Sequence, residues 1–594
     1  MPSSAKLTRL LVDVAMGRAH ADLVIRNGQW VCVQSGEIIE QTDVAIVNGH
    51  IAYVGGNAGH TVGKDTVVVD AHGMYLVPGL LDGHMHVESG MVTVTEFVRA
   101  VAPRGTTGMF IDPHEIANVF GIQGVRLMVD EAAQQPIHVW VQVPSCVPSS
   151  PGFETPGASI TAEEVAKALT WQGVIGLGEM MNFPGVAAGD ADMLAEMSAA
   201  YTAHKTIGGH YASLDLGLPF HGYVAGGAED DHEGTRLEDA MLRVRQGMKA
   251  MLRYGSAWHD VATQVKAITT HKLDSRNFIL CTDDSHAQTI TQEGHMDRAL
   301  RHAIAEGLEP MTAIQMCTIN TAEHFGLTRE MGMIAAGRWA DILLVNDLRD
   351  FHPKMVIARG QLISQDGTWT VEPASFSHPG WAANSVNLKR EIKPEDFKLV
   401  VKGKKSQVTA HVIGILENQA PTQHLKFDMK PEAGGIKADL RRDIAKVAIL
   451  ERHKGSGAIS LGLVNGFGFT RNCAVASTVA HDCHQMVVVG TEDACMAEAA
   501  NALARSGGGQ VVVLEGKVLA QVELQIGGLM STERAEVVAQ KAASVLEAFR
   551  DCGCTLNNPN MQLSLLALVV IPELRISDRG LVDVKNFKFI PVLE

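Results

Sequence analysis

Val77-Pro78-Gly79-Leu80-Leu81-Asp82-Gly83-His84-Met85-His86-Val87-Glu88-Ser89 closes an apolar run with two imidazoles two residues apart. In an extended strand residues i and i+2 share a face, so His84 and His86 can converge on one metal ion; on a helix the same spacing splays them. Tyr75-Leu76-Val77 leads in and Pro78-Gly79 breaks any helix, so the spacing predicts a strand carrying both histidines at its end. A bare His-x-His also suits two solvated turn histidines, and the rest of the chain has to decide between the two.

Downstream, to about residue 325, short apolar runs alternate with helical patterns. The runs include Gly108–Ile111, Val139–Val143, Val174–Gly178, Thr206–Gly209 and Phe278–Cys281. Helical spacing marks Thr161 to Leu169, opened by the capping-box pair Thr161 and Glu164, and Met296 to Ile304. Such alternation over about 250 residues predicts a (β/α)8 barrel. An open doubly wound sheet is the rival, but no Gly-rich phosphate loop follows the first strand.

On either side of this insert the texture is β-rich. Residues 22 to 76 break into apolar runs separated by Asn27-Gly28, Asn48-Gly49 and Gly55-Gly56, which read as short antiparallel strands and hairpins. A related pattern returns at Ile342–Val345 and Val356–Gly360, so the two flanks are expected to build one small β-sandwich. After about residue 380 come further strands, a Gly-rich stretch from Gly455 to Gly468 that reads as the mobile backbone of a cover over the barrel or as turns between strands, and helices at about Glu492–Ala504 and Ser531–Phe549. The expected organisation is an N-terminal helix and first sandwich part (1–76), the barrel (77–328), the second sandwich part (329–380) and a C-terminal α/β domain (381–594).

In a barrel the C-terminal ends of the strands face the active site. Those positions hold His84 and His86, Asp112 and His114, Glu179, His210, His232, and Asp283 with Asp284. Each has a bland alternative as a helix cap or turn residue; their joint placement does not. Four histidines (His84, His86, His210, His232) and two carboxylates (Glu179, Asp283) suit two first-row divalent ions sharing a bridging group, with zinc, manganese or iron fitting imidazole and oxygen donors. Such ions lower the pKa of a bound water from about 16 towards 7, which points to hydrolysis of a C–N or C–O bond.

Composition bounds the partners. The 594-residue chain, 46% apolar and 20% charged, is that of a soluble globular protein with a large core. A formal charge of −16 and a pI near 5.9 argue against a nucleic-acid or anionic-membrane partner and favour a small neutral or cationic ligand. Nine cysteines without a Cys-x-x-Cys pair make neither a disulfide framework nor a structural zinc site, and imply a reducing, cytoplasmic setting. Met1 to His20 lacks the apolar core of an export signal, and Leu563 to Ile571 falls far short of the roughly 20 residues of a membrane span.

The flanking β segments, Pro78–His86 and Thr282-Asp283-Asp284 resemble the amidohydrolase superfamily. More narrowly, His84–Ser89, the run Asp112-Pro113-His114-Glu115-Ile116-Ala117-Asn118, and Val479–His484 are similar to the bacterial-type adenine deaminase family over nearly the whole chain. That resemblance implies two divalent first-row ions, manganese or iron ahead of zinc. His84, His86 and Asp283 would hold one, His210 and His232 the other, and Glu179 would bridge them where many superfamily members use a carbamylated lysine. Asp230 or Asp231 is the alternative to His232. The implied reaction is attack of metal-bound hydroxide on C6 of adenine, giving hypoxanthine and ammonia. Asp283 would be the proton acceptor; Asp284, Asp112, His114 and Glu88 would be the substrate or supporting contacts. A homodimer or higher homo-oligomer is expected. The rivals are deamination of an N6-substituted adenine, a cyclic amidohydrolase of the hydantoinase or dihydroorotase kind, and a scaffold that has lost its site. The C-terminal cluster His481-Asp482-Cys483-His484 reads as a lid over the barrel mouth or a separate metal site.

Overall fold

The computed structural model describes residues 5–403 and 405–594. A helix, Ala5–Ala15, opens the described chain. Five strands follow: β1 (Leu23–Cys32), β2 (Glu37–Val47), β3 (His50–Gly55), β4 (Val67–Asp70) and β5 (Tyr75–Pro78). Hairpins join β1 to β2 and β2 to β3, but β4 and β5 both run parallel to β1, where the turn pattern predicts antiparallel pairing throughout. Asn-Gly turns mark where the chain reverses; they do not say which strand a later segment will join.

The barrel strands are β6 (Leu80–His86), β7 (Thr106–Ile111), β8 (His138–Val143), β9 (Val174–Met180), β10 (Thr206–Gly209), β11 (Asp230–Asp231), β12 (Lys249–Arg253), β13 (Phe278–Cys281) and β14 (Asp283–Asp284). Strands β10-β9-β8-β7-β6-β14 form one parallel ladder and β11-β12-β13 another. Since β14 continues β13, the ring closes at that side where Asp283 and Asp284 pair with Met85 and His86. It closes on the other side through Glu229 N–H to Ile207 O at 2.9 Å and Gly209 N–H to Asp230 Oδ1 at 2.9 Å. Gly209 permits this approach, because a Cβ there would sit 2.0 Å from the Asp230 carbonyl oxygen. Every residue of β6 and β7 is buried, the signature of parallel strands covered on both faces. Inside, Phe110 stacks on Phe325 with centroids 3.8 Å apart, and Leu81, Met251 and Ile279 complete a packed plug beneath the strand ends.

After the barrel, β15 (Ile342–Val345), β16 (Pro353–Ala358), β17 (Gln361–Gln365) and β18 (Thr368–Trp369) extend the first flank into one sheet of order β18-β17-β16-β15-β5-β1-β2-β3, with β4 on β1. The sheet curls so that its edge strand β3 meets the lead-in to β15, since Ile51 N–H donates to Arg338 O and Ala340 N–H to Gly49 O. Leu23, Ile25, Val44, Ile342 and Leu344 share the resulting core.

The C-terminal part is an eight-stranded sheet spanning Val408 to Glu523. Helix Asp493–Ser506 covers one face, with Ala500 and Leu503 against Ala448, Val488 and Val511. The opposite face, including Val447, Ile449, Val475 and Val489, merges with the barrel core. The Gly455–Gly468 stretch is not a mobile cover: Ile459–Asn465 within it is a strand paired on both edges. The last long helix runs Ala535–Asp551, because Ser531 pairs its backbone with the barrel at Met91 and Thr93 before the helix begins.

Candidate metal centre and active site

At the barrel mouth Glu179, near the end of β9, is the hub. His232 Nε2 lies 3.0 Å from its Oε2; His114 Nδ1 lies 3.2 Å and His86 Nε2 3.6 Å from its Oε1. His210 Nδ1 contacts Oε2, and His84 Nε2 is 3.9 Å from it. Asp283 faces the same point, its Oδ1 3.2 Å from His86 Nε2 and 3.9 Å from His84 Nε2. The rings of His84 and His232 stack with centroids 4.0 Å apart.

Burial by itself would push the Glu179 carboxyl up; His210 and the hydrogen bonds from His114, His210 and His232 outweigh it and hold the group well below the carboxylate range. Asp283 is likewise held low against burial, by His86, His232 and Arg253. Four groups bring three donor atoms within 4.8 Å of one another: His84, His86 and Glu179; His84, His232 and Asp283; Glu179, His210 and His232; and Asp112, His114 and Glu179. Among these, the buried Nε2 of His84 has no hydrogen-bond partner. Imidazoles gathered around two carboxylates, one with a buried ring nitrogen that makes no hydrogen bond, are a donor set for divalent cations.

The strands fix this geometry through their second contacts. His86 Nδ1 is 2.8 Å from the Asp112 carbonyl, which directs Nε2 at the centre. Asp82 accepts from Thr282 N–H (3.1 Å) and Oγ1–H (2.6 Å), locking the base of β6 to that of β14. Asp112 does not line the main cavity; its Oδ2 accepts the Glu179 N–H at 2.7 Å. Gly178 makes room for it, since a Cβ there would lie 2.2 Å from that oxygen. Neither Asp230 nor Asp231 reaches the centre. Asp230 accepts from Gly209 N–H and pairs with His324 Nε2 at 2.6 Å, while Asp231 takes Arg243 Nε–H at 2.8 Å.

His114, Glu179, His210, Asp283 and Asp284 line a cavity of about 1230 Å³. Ser89 Oγ–H donates to Asp284 Oδ1. Glu88 is buried beside the centre; burial and the neighbouring Glu115 push its carboxyl up to about 7.

Several groups at the site escape the strand-end pattern. Arg253, 1% exposed at the end of β12, donates to Asp283 Oδ2 at 3.0 Å, to Asp260 Oδ2 at 2.9 Å and to Glu233. It obeys the same strand-end rule, and its strand lacked only a long apolar run to announce it. Glu115 sits inside the Asp112–Asn118 stretch, with His114 Nε2 3.5 Å away. The C-terminal cluster meets it: His481 Nε2 is 3.2 Å from Glu115 Oε1, and His484 Nε2 contacts Oε2. Ala480 N–H donates to His484 Nδ1 at 3.2 Å, which leaves the proton on Nε2, facing Glu115. Burial raises Glu115, but His481 and His484 outweigh it and keep the carboxyl well below its usual range. His481 and Asp482 also line the main cavity.

No helix of the described residues is long and apolar enough to cross a membrane. Residues 75–363 match the Amidohydrolase family, and residues 419–588 match the Adenine deaminase C-terminal domain. The chain is similar to an adenine deaminase of Mesorhizobium japonicum, 60% identical over 97% of this chain and 96% of that one. It is 58% identical to adenine deaminase 3 of Rhizobium meliloti over 98% of both chains. Among solved structures, β-aspartyl dipeptidase of Fervidobacterium islandicum AW-1 aligns at 15% identity with a TM-score of 0.46, covering 60% of this chain and 98% of that one. With these extents of identity over the full length, the chain belongs to the adenine deaminase family of amidohydrolases.

Proposed function

We propose that the protein hydrolyses adenine to hypoxanthine and ammonia at a centre of two divalent first-row ions. The observation that carries this reading is Glu179, the one carboxylate common to two donor groups, one with His84 and His86 and one with His210 and His232; its Oε1 faces His86 while its Oε2 faces His210 and His232. His84, His86 and Asp283 would hold the first ion and His210 and His232 the second, with Glu179 between them. A donor set of imidazole nitrogen and carboxylate oxygen suits zinc, manganese or iron, and the family resemblance puts manganese or iron first. When bound, such ions lower the pKa of a water towards 7.

The chain's own groups then divide the work. Asp283 accepts the proton that water loses as it adds to C6, and returns it towards the departing amino group, which leaves as ammonia. Arg253 holds the other Asp283 oxygen and so fixes which one faces the substrate. Asp284, oriented by Ser89, contacts the purine ring. Asp112 positions Glu179 through its backbone rather than touching substrate. Glu115, His481 and His484 tie the cover supplied by the C-terminal part to the barrel and keep water out.

The test is to incubate metal-replete enzyme with adenine, N6-methyladenine, dihydroorotate and hydantoin, assaying ammonia and ring opening. Adenine should be the preferred substrate. Faster release of methylamine from N6-methyladenine, or ring opening of either cyclic amide, would replace this reading.

A further inference from the structure

Behind the metal cavity lies a smaller space of about 130 Å³ at the joint between the barrel and the C-terminal part. The two spaces share Glu115, Asp284, His481, Asn558 and Met561. The far end of the smaller one is walled by Leu529, Ala542 and Leu546 and carries the side-chain amides of Gln510 and Asn560. Three polar atoms around it are buried without hydrogen-bond partners: Glu88 Oε2, Gln510 Oε1 and Asn560 Oδ1. Gln510 is 6% exposed, on a strand that otherwise packs Val511, Val512 and Val513 into the core. A buried acceptor without a partner costs about 1–3 kcal/mol, and all three of these belong to side chains that line this one space, which marks it as a place for a ligand that donates hydrogen bonds.

We infer that this space is the base pocket, and that Gln510 and Asn560 are specificity-determining residues for the purine. The inference rests on the adenine reading above and deepens it. A cavity of similar size, roughly 150 Å³, takes a benzene ring, so the space admits a planar ring with its reacting edge projecting into the metal cavity. The amino-bearing edge of the base points to Asp284, Glu115 and His481, the ionisable residues common to both spaces. The opposite edge of adenine carries an acceptor, N3, next to a donor, N9–H. A carboxamide offers the complementary pair, with Oε1 accepting from N9–H and Nε2–H donating to N3. The apolar walls cover the ring faces, and the barrel alone supplies neither amide.

The experiment uses the full-length, metal-replete enzyme and hypoxanthine, which keeps N3 and N9–H and is not turned over. Its affinity, and that of 3-deazahypoxanthine, are measured by calorimetry for wild type, Gln510→Met and Asn560→Ala, with metal content, melting temperature and adenine kinetics alongside. Gln510→Met should weaken hypoxanthine binding about tenfold and raise KM for adenine to match, with kcat within about twofold and metal content unchanged. The wild type should bind the 3-deaza analogue about tenfold more weakly than hypoxanthine, and Gln510→Met should erase that difference. Unchanged hypoxanthine affinity in both variants overturns the pocket while leaving the deaminase reading in place. Gln510-dependent hypoxanthine binding in an enzyme that releases no ammonia from adenine does the reverse. Should Gln510→Met fail to fold, the wild-type analogue comparison still decides, since a penalty under twofold overturns the inference.

Discussion

The barrel rim and the C-terminal face that covers it meet over the same cavity but are built by opposite means. On the rim, His84, His86, Glu179 and Asp283 sit at strand ends where hydrogen-bonded ladders fix the backbone, and charge faces charge. On the covering face, His481 and His484 sit in a loop after strand Cys473–Ser477, and Gln510 is a lone amide in a valine-rich strand. On the function proposed above, the rim supplies the metal ligands and the proton-transfer group. The covering face has groups that orient a barrel carboxylate and shape a pocket. A parallel barrel presents many strand ends at one mouth and can gather charged ligands, whereas an antiparallel sheet packed by its face offers only loops and occasional polar positions.

If the rim carries the chemistry, its variants should cost far more than any on the cover. Glu179→Gln is expected to lower bound metal and to reduce kcat/KM about a thousandfold or more, because a neutral amide bridges two cations poorly. Metal analysis together with kinetics checks it. Full metal content with retained turnover in that variant would remove Glu179 from the centre.

Within the rim, the two neighbouring aspartates should separate. Asp283→Asn should depress kcat by about 10³, in the range of lost acid–base catalysis, with KM little changed. Asp284→Asn should mainly raise KM, by about tenfold. The reverse pattern in steady-state kinetics would exchange their roles.

Much of the rim was legible in the sequence because period-two spacing and the strand-end rule are local. His84 and His86 announce themselves, and Glu179, His210 and Asp283 each follow an apolar run, whereas His232 stands behind Glu229-Asp230-Asp231, which left Asp230 or Asp231 open in its place. What failed to show there is set by distance in the chain. Arg253 ends a strand whose apolar run is too short to stand out. The contact between Glu115 and His484 joins positions 369 residues apart along the sequence. The parallel pairing of β4 and β5 with β1 depends on where the chain returns after each turn, which turn residues do not encode. The Gly455–Gly468 run shows the limit of composition, since glycines that read as a mobile cover flank a strand paired on both sides.

A smaller effect tests the tie between the two faces. His484→Ala removes the donor facing Glu115 and leaves that buried carboxylate with His481 and the more distant His114. The expected cost is about 1–3 kcal/mol of stability and about a tenfold loss in kcat/KM, with metal content intact. Calorimetric melting and metal analysis on one preparation distinguish this from damage to the rim. Loss of metal along with activity would mean that the cover supports the ligands themselves.

The mildest test lies where the two faces meet away from the metals, at Glu154. This carboxyl, on the loop after β8, is 4% exposed, and its Oε1 accepts from Ser150 N–H at 3.1 Å and Ser149 Oγ–H at 3.3 Å. Burial, and then Asp482 from the covering loop, push it up to about 7, against a smaller opposing hydrogen bond from Cys483. The sign follows from proton counting. In the unfolded chain the group ionises near its usual 4.5, while in the folded protein it keeps its proton to about 7. Between those values the folded state binds more protons, so stability is fully present below about pH 4.5 and is lost as pH rises through about 7, by roughly 3 kcal/mol at most. Glu154→Gln retains an acceptor for Ser150 and cannot ionise, so it should shed this dependence. Relative to wild type its melting temperature should be equal or lower at pH 4.5 and several degrees higher at pH 8, with adenine kinetics unchanged. A melting difference that stays flat from pH 4.5 to 8 would show that Glu154 ionises normally, and that Asp482 approaches the barrel without meeting a protonated partner.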